Sequence, residues 1–250
     1  MRYGIFGDIH SNLEAFNKVI EAYKKEDIDR FFCVGDIVGY GADPEKCIDG
    51  LRQLGAIAVC GNHDLASAGV FSLDYFNDYA RDAIVWTIDV LTDGEKQFLK
   101  NLPFVVNEKE FSIVHGSLYQ PELFDYIIDI ESAERCFRHM EKDICFVGHS
   151  HRAMVYCLED SKVFRYAPGP VGLSKNRLTI RMQSGVKYIV NVGSIGQPRD
   201  GNPDAAYCVF DTTLNTIEIK RVSYDVTKSM AKILNAGLPA ILGYRLLEGR

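Results

Sequence analysis

The chain has 250 residues, 47% of them hydrophobic and 25% charged, with a net charge of −6. That is an ordinary composition for a soluble globular protein, and the length suits one large α/β domain over residues 1–250 better than two small ones. The acidic balance argues against polymeric nucleic acid or a membrane surface as partner, since both call for a basic face, but it admits a small phosphorylated ligand if bound cations reverse the local field.

Tyr3 to Gly7 is predicted as the first strand. Ser11-Asn12-Leu13-Glu14 then fits a capping box opening a helix, with Leu13, Phe16, Val19, Ile20 and Tyr23 on its apolar face. Phe31 to Val34 reads as a strand, Pro44 to Leu54 as a helix with proline in its first turn, and Ile57 to Cys60 as a third strand. A helical pattern runs through Tyr75–Leu91 and resumes after a second capping box, Thr92-Asp93-Gly94-Glu95. Ile113-Val114 ends a strand, Glu131–Met140 is a helix, and Ile144–Val147 is a strand.

The second half changes character. Met154–Leu158, Val163–Tyr166, Leu178–Met182, Tyr188–Val192, Tyr207–Phe210 and Ile217–Val222 read as strands separated by turn residues. Val226–Leu234 and Pro239–Leu247 read as helix. An α/β portion followed by a mostly antiparallel portion suits two packed sheets with helices outside. Ala167-Pro168-Gly169-Pro170-Val171-Gly172 lacks the spacing of a phosphate-binding loop and is expected to be a plain loop.

The seven cysteines are scattered, with no C-x-x-C pair. Cys33, Cys60, Cys145 and Cys208 fall in strand-like runs, as buried reduced thiols do in a reducing compartment. The N-terminal residues reach a charge too early for a signal peptide, and no stretch approaches the roughly 18 apolar residues of a membrane span. A cytoplasmic protein is expected.

Five short stretches place Asp, His or Asn at or just after the end of an apolar strand: Gly7-Asp8-Ile9-His10, Gly35-Asp36, Gly61-Asn62-His63-Asp64, His115-Gly116 and Gly148-His149-Ser150-His151. Ligands of open α/β sheets gather at the carboxyl ends of strands, so these loops converge if the strands share a sheet. Five of the six histidines lie in them; His139 stands apart in a helix-like stretch and is expected to be solvated. Singly, Asp8-x-His10 and Gly35-Asp36 are weak, and Gly61-Asn62-His63-Asp64 is more specific, because four special residues in a row rarely serve a turn alone. Asp8-x-His10 is explained as well by an N-cap, whereas two imidazoles in Gly148-His149-Ser150-His151 point to metal. Together Asp8, His10, Asp36, Asn62, His115, His149 and His151 exceed one tetrahedral site and suit two ions about 3.5–4 Å apart bridged by a carboxylate. Nitrogen and oxygen donors without thiolate fit manganese, iron, zinc, cobalt or nickel better than calcium or magnesium.

In order and type, D-x-H, G-D, G-N-H-D, an isolated H and G-H-x-H, these stretches resemble the calcineurin-like metallophosphoesterase superfamily, and Asn191 to Gly201 with Gly237-Leu238-Pro239 is similar to one bacterial and archaeal, phosphodiesterase-like branch of it. The resemblance implies a two-sheet α/β/β/α sandwich and a hydrolase of phosphoric esters. It implies one metal on Asp8, His10 and His151, another on Asn62, His115 and His149, and Asp36 bridging. It also implies His63 beside the metals as leaving-group acid or charge stabiliser, with Asp64 orienting its ring. Two cations would lower the pKa of a bridging water to give hydroxide for in-line attack on phosphorus. Arg199 and Tyr40 are further candidates for substrate contact, Arg199 because a guanidinium suits phosphate oxygens. The stretch Asp36-Ile37-Val38-Gly39-Tyr40-Gly41 lacks the arginine that the protein phosphatases and symmetrical diadenosine tetraphosphatases of the family carry after the bridging aspartate, which weighs against a protein phosphatase and withholds direct support for dinucleotide hydrolysis by that machinery. Manganese is the expected metal and a phosphodiester, phosphomonoester or nucleotide the expected substrate. A catalytically silent scaffold and a nuclease on short oligonucleotides are the alternatives; scaffold members of the family tend to lose the motif histidine or ligands, all of which are intact here.

Overall fold

A computed structural model of the chain describes residues 1–167 and 177–250. The elements are, in order, β1 (Arg2–Phe6), α1 (Leu13–Tyr23), β2 (Arg30–Cys33), α2 (Pro44–Leu54), β3 (Ile57–Ala58), α3 (Asn62–Ser67), α4 (Asp78–Val90), α5 (Asp93–Lys100), β4 (Val105–Asn107), β5 (Phe111–Val114), α6 (Ile130–Phe137), β6 (Ile144–Val147), β7 (Met154–Glu159), β8 (Lys162–Tyr166), β9 (Arg177–Arg181), β10 (Lys187–Asn191), β11 (Ala205–Asp211), β12 (Thr216–Val222), α7 (Val226–Asn235) and α8 (Ala240–Tyr244). The plain loop expected at Ala167–Gly172 lies, from Pro168 on, outside the described residues.

Two six-stranded sheets form, in the orders β3-β2-β1-β11-β12-β9 and β4-β5-β6-β10-β7-β8. In the first, β1, β2 and β3 are parallel and β11 pairs antiparallel with β1. In the second, β5, β6 and β10 are parallel and β7 pairs antiparallel with β10. The antiparallel second half is therefore no separate region: its strands complete both sheets. The five loops also differ from the expectation of one shared sheet, because three follow strands of the first sheet and two follow strands of the second.

Alternation along each strand builds the layers. Tyr3, Ile5 and Phe32 of the first sheet face Phe111, Ile113, Ile144, Phe146, Tyr188 and Val190 of the second. Phe111 lies edge-on to Tyr3, Phe32 and Phe146 at 5.1, 5.1 and 5.3 Å, so one ring bridges the sheets. The opposite faces carry helices. Phe6 and Val209 pack against Phe16, Val19, Ile48 and Leu51, and Cys145, Val147 and Ile189 pack against Ala133, Cys136 and Phe137. The molecule is thus the expected α/β/β/α sandwich.

Local chemistry explains most helix starts. Asp43 precedes Pro44 at the head of α2, and Thr92 with Glu95 forms the predicted capping box of α5. The cap of α1 differs from expectation. Asn12, not Ser11, accepts from the Ala15 amide at 3.2 Å, and Glu14 pairs with Lys228 and Lys232 of α7. Helix α3 was not anticipated; Gly61-Asn62-His63-Asp64 is its first turn, not an open loop. Around the start of α4, Phe76 is buried, whereas Tyr75 and Tyr79 are 77% and 52% exposed. His139 is exposed as expected. All seven cysteines are buried and unpaired, and no helix among the described residues is long and apolar enough to cross a membrane.

Candidate active site

The five loops leave the carboxyl ends of β1, β2, β3, β5 and β6 and meet at one rim of the sandwich. They bring all seven expected ligand side chains together. Asp8, His10, Asp36 and His151 form one buried cluster of donor atoms; Asp36, His115 and His149 form a second, so Asp36 belongs to both. Asn62 lines the same cleft, which has a volume of about 260 Å³.

Backbone bonds aim these side chains. His10 Nδ1 faces Val38 O at 3.1 Å, His115 Nδ1 faces Val34 O at 2.8 Å and His151 Nδ1 faces Gln197 O at 2.7 Å. A carbonyl only accepts, so each Nδ1 carries a proton, and in the neutral ring Nε2 turns a lone pair inward. His10 Nε2 and His151 Nε2 are 3.0 Å apart, and His115 Nε2 is 3.1 Å from His149 Nδ1. Asp36 Oδ1 accepts from the His63 amide at 3.0 Å. Its Oδ2 lies 3.2 Å from His115 Nε2 and 3.5 Å from His10 Nε2 without a hydrogen bond to either. Asp8 is held by the His149 amide at 3.1 and 3.2 Å, a bond between the loops of the two sheets.

The donor set fits two cations. Asp36 Oδ2 and Asn62 Oδ1 are buried polar atoms without partners, which is costly unless something charged meets them. Converging lone pairs on neutral imidazoles repel one another until a cation lies between them. Burial holds His10, His149 and His151 well below the ordinary imidazole range, hence neutral, the form that ligates. Burial opposes charge on His115, yet the adjoining Asp36 draws it up to about 9; that field attracts positive charge to this point.

The backbone is strained where the donors sit. Asp8, His10, Asp36, His149 and His151 all have positive φ, between 48° and 65°, a region that non-glycine residues rarely occupy and that gathers at functional sites. Close approach between loops explains two glycines: a Cβ on Gly61 would run into the Asp36 carboxylate, and one on Gly148 into that of Asp8. The motif glycines thus admit ligand side chains of neighbouring loops.

His63 is buried beside the clusters, its ring 4.4 Å from Tyr40, 4.8 Å from His10 and 5.0 Å from Phe76. Asp64 departs from its expected role of orienting that ring. Its Oδ1 accepts from the amides of Ile37 (2.8 Å) and Val38 (3.2 Å), its Oδ2 from Gly61 (3.0 Å), and His63 Nδ1 has no partner. Side chains at successive helix positions point apart, so Asp64 binds the loop of Asp36 to the head of α3. Arg199 and Tyr40 line the cleft together, joined by Arg199 Nη2 to Tyr40 Oη at 3.3 Å. Asn191 and Ser194 shape the loop after β10 by bonding Gly148 O and Asp8 O.

Tyr126 and Arg245 are among the cleft residues that were not anticipated. Tyr126 stacks on His149 at 3.8 Å between ring centroids. Arg245, in the helical turn after α8, packs on Tyr40 with its guanidinium 4.9 Å from the ring centroid. Neither carries a sequence signal: Tyr126 follows no strand, and Arg245 sits in a stretch patterned as ordinary helix.

A family model described as the calcineurin-like phosphoesterase superfamily domain matches residues 1–215. The chain belongs to that superfamily. It is 40% identical over 250 residues to an uncharacterized protein of Methanocaldococcus jannaschii, covering 98% of this chain and 97% of that one. The crystal structure of a metallophosphoesterase from Sphaerobacter thermophilus is 35% identical, covers 100% of this chain and 99% of its own, and superposes with a TM-score of 0.87. A hypothetical protein of Pyrococcus horikoshii shares the fold, at 20% identity and a TM-score of 0.78 over 100% of this chain and 98% of its own. The superfamily is metal-dependent, and the buried Asp and His clusters give this chain the groups to hold metal.

Proposed function

We propose that the protein is a binuclear metal-dependent phosphoesterase acting on a small phosphorylated substrate, a phosphodiester or monoester with nucleotides among the candidates. The observation that carries this is the sharing of Asp36 between two buried donor clusters. Asp8, His10 and His151 would hold one cation, Asn62, His115 and His149 the other, and Asp36 both. Bound there, divalent ions, manganese first among those the donors suit, supply Lewis acidity toward phosphoryl oxygens and toward water.

The chain's own residues do the rest. The carbonyls of Val34, Val38 and Gln197 fix three imidazoles so that little reorganises on binding. His63 stands at the cleft wall, its ring within contact of Tyr40 and His10; burial holds it down to about 4, so the ring is neutral near pH 7 and placed to stabilise charge on the leaving oxygen through a ring N–H. Arg199 supplies positive charge at the mouth. The seven buried thiols favour a reducing compartment, the cytoplasm.

The test is manganese-dependent hydrolysis of bis(p-nitrophenyl) phosphate against p-nitrophenyl phosphate, with chelated protein as blank. Metal-dependent turnover supports the proposal, and a higher diester rate assigns a phosphodiesterase. Absence of turnover of either compound in protein shown to hold two metals per chain would favour the scaffold alternative.

A further inference from the structure

We infer that Arg199 and Arg245 form a second anion subsite beside the metal clusters, shaped for a phosphate adjoining the one that is attacked. The substrate class this names is a compound carrying two or more linked phosphates, such as a nucleoside diphosphate or a longer polyphosphate ester. The inference rests on the phosphoesterase proposal for its chemistry, though not for its binding test.

Two guanidinium groups meet here from distant parts of the chain. Arg199 follows the loop after β10, and its amide bonds His151 O at 3.1 Å, so it is tied directly to a candidate ligand residue. Arg245 arrives from the turn after α8. Both lie against one ring, Tyr40, with guanidinium carbons 5.6 and 4.9 Å from its centroid. Both also reach one acceptor: Gln197 Oε1 takes a bond from Arg199 Nη2 at 2.9 Å and another from Arg245 Nη2. Tyr40 in turn lies 4.7 Å from His10 and 4.4 Å from His63, ring to ring. The pair and the metal clusters share one cleft.

Positive charge is in surplus. Among the described residues, neither arginine has a carboxylate within ion-pair distance, and the Nε of each is buried without a partner. Two guanidiniums bring ten N–H donors between them, and their side-chain acceptors are one amide oxygen and one phenol. Burial and the neighbouring Arg199 both depress Arg245 below the ordinary guanidinium range, so the pair is unfavourable as it stands. Aromatic packing alone would not call for two like charges sharing one acceptor; an anion with several oxygens satisfies both forks at once. Two divalent cations against the carboxylates of Asp8 and Asp36 already match a singly charged diester once a hydroxide is counted. The arginine pair is then unbalanced unless the substrate brings further negative charge.

The experiment compares binding of adenosine 5′-(α,β-methylene)diphosphate and adenosine 5′-monophosphate to manganese-loaded protein by calorimetry; the two differ by one methylene-linked phosphonate, which stands in for a second phosphate, and neither binding measurement requires turnover. Wild type is expected to prefer the diphosphate analogue by about tenfold or more, the size of a charge-assisted hydrogen-bonded pair. Arg245→Gln is expected to bring the two within about threefold of each other. No preference in wild type, or full preference in Arg245→Gln, overturns the inference. If Arg245→Gln melts as an unstable protein, Arg245→Lys decides: a severalfold weaker preference supports a guanidinium fork on phosphate, and an undiminished one counts against it. Turnover of bis(p-nitrophenyl) phosphate by wild type is scored separately. Absence of turnover of both that diester and p-nitrophenyl phosphate in protein holding two metals, alongside an intact diphosphate preference, would sink the hydrolase proposal and leave the subsite standing.

Discussion

The Nε2 atoms of His10 and His151 stand 3.0 Å apart while both Nδ1 protons are committed to backbone carbonyls. Two lone pairs therefore face each other in a buried site, and cation binding turns that repulsion into attraction. Manganese added to chelated protein is expected to raise the Tm until two equivalents per chain are bound. At a free concentration one hundred times Kd each site contributes about 2.7 kcal/mol, a rise of several degrees for a chain of this size. His151→Ala is expected to hold fewer equivalents by elemental analysis; two retained equivalents would remove His151 from the ligand set.

His63 touches Tyr40, His10 and Phe76 but accepts no backbone bond through its ring. His63→Ala is expected to keep its metal and lose turnover by about 10²–10⁴-fold. Turnover close to wild type in that variant would refute its role at the leaving group.

Asp64, one residue on, is expected to behave oppositely. Three amide bonds from two loops end on its carboxylate, so Asp64→Ala leaves buried donors unmet at about 1–3 kcal/mol for each group. A large drop in Tm with loss of metal is expected. A stable, metal-replete variant with only a kinetic defect would restore the ring-orienting role.

Gly61→Ala tests loop convergence without removing a donor atom. The added methyl meets the Asp36 carboxylate and amide, and overpacking of this kind costs about 1–3 kcal/mol. Weaker manganese binding by calorimetry is expected, because Asp36 is the residue displaced. Unchanged affinity would mean that the loops yield more readily than their contacts indicate.

Burial opposes ionisation of Asp43, but hydrogen bonds from Lys232 and Lys46 outweigh it and hold the carboxyl below its ordinary range. A depressed folded-state pKa adds stability above the unfolded value of about 3.9, and that stability is lost as pH falls through the folded value. Lys232→Met, which also removes the bond to Glu14, is expected to lower stability at neutral pH by up to about 1 kcal/mol. Urea unfolding should show the gap between variant and wild type closing as the pH falls below the unfolded value of about 3.9. A gap independent of pH would assign the loss to packing.

Residue type made the donors legible, since Asp, Asn and His recur just beyond apolar strands, whereas the bridging place of Asp36 was implied only by the family resemblance. What Asp64 binds was not legible, because its partners are amides of Ile37 and Val38, 27 and 26 residues away, and amides carry no sequence identity. Helix α3 was missed because Gly61-Asn62-His63-Asp64 reads equally as a loop of special residues and as a cap and first turn. The order of strands was hidden for a similar reason. Alternation tells which faces of β10 and β11 are apolar but not that they slot beside β6 and β1. Arg245 was invisible, since one basic residue in a short terminal helix has many ordinary explanations.

The placement of β10 and β11 carries a consequence for how this molecule can be divided. Every donor side chain is encoded by residue 151, yet β1 and β6 each take a neighbour from beyond residue 186. A fragment ending after the last donor would expose two unpaired strand edges and half of the inner aromatic layer, an invitation to aggregate. Splitting the polypeptide there and adding the remainder as a separate chain should instead let two incomplete pieces reconstitute the fold and its donor clusters, with the rate of recovered manganese binding set by their concentrations.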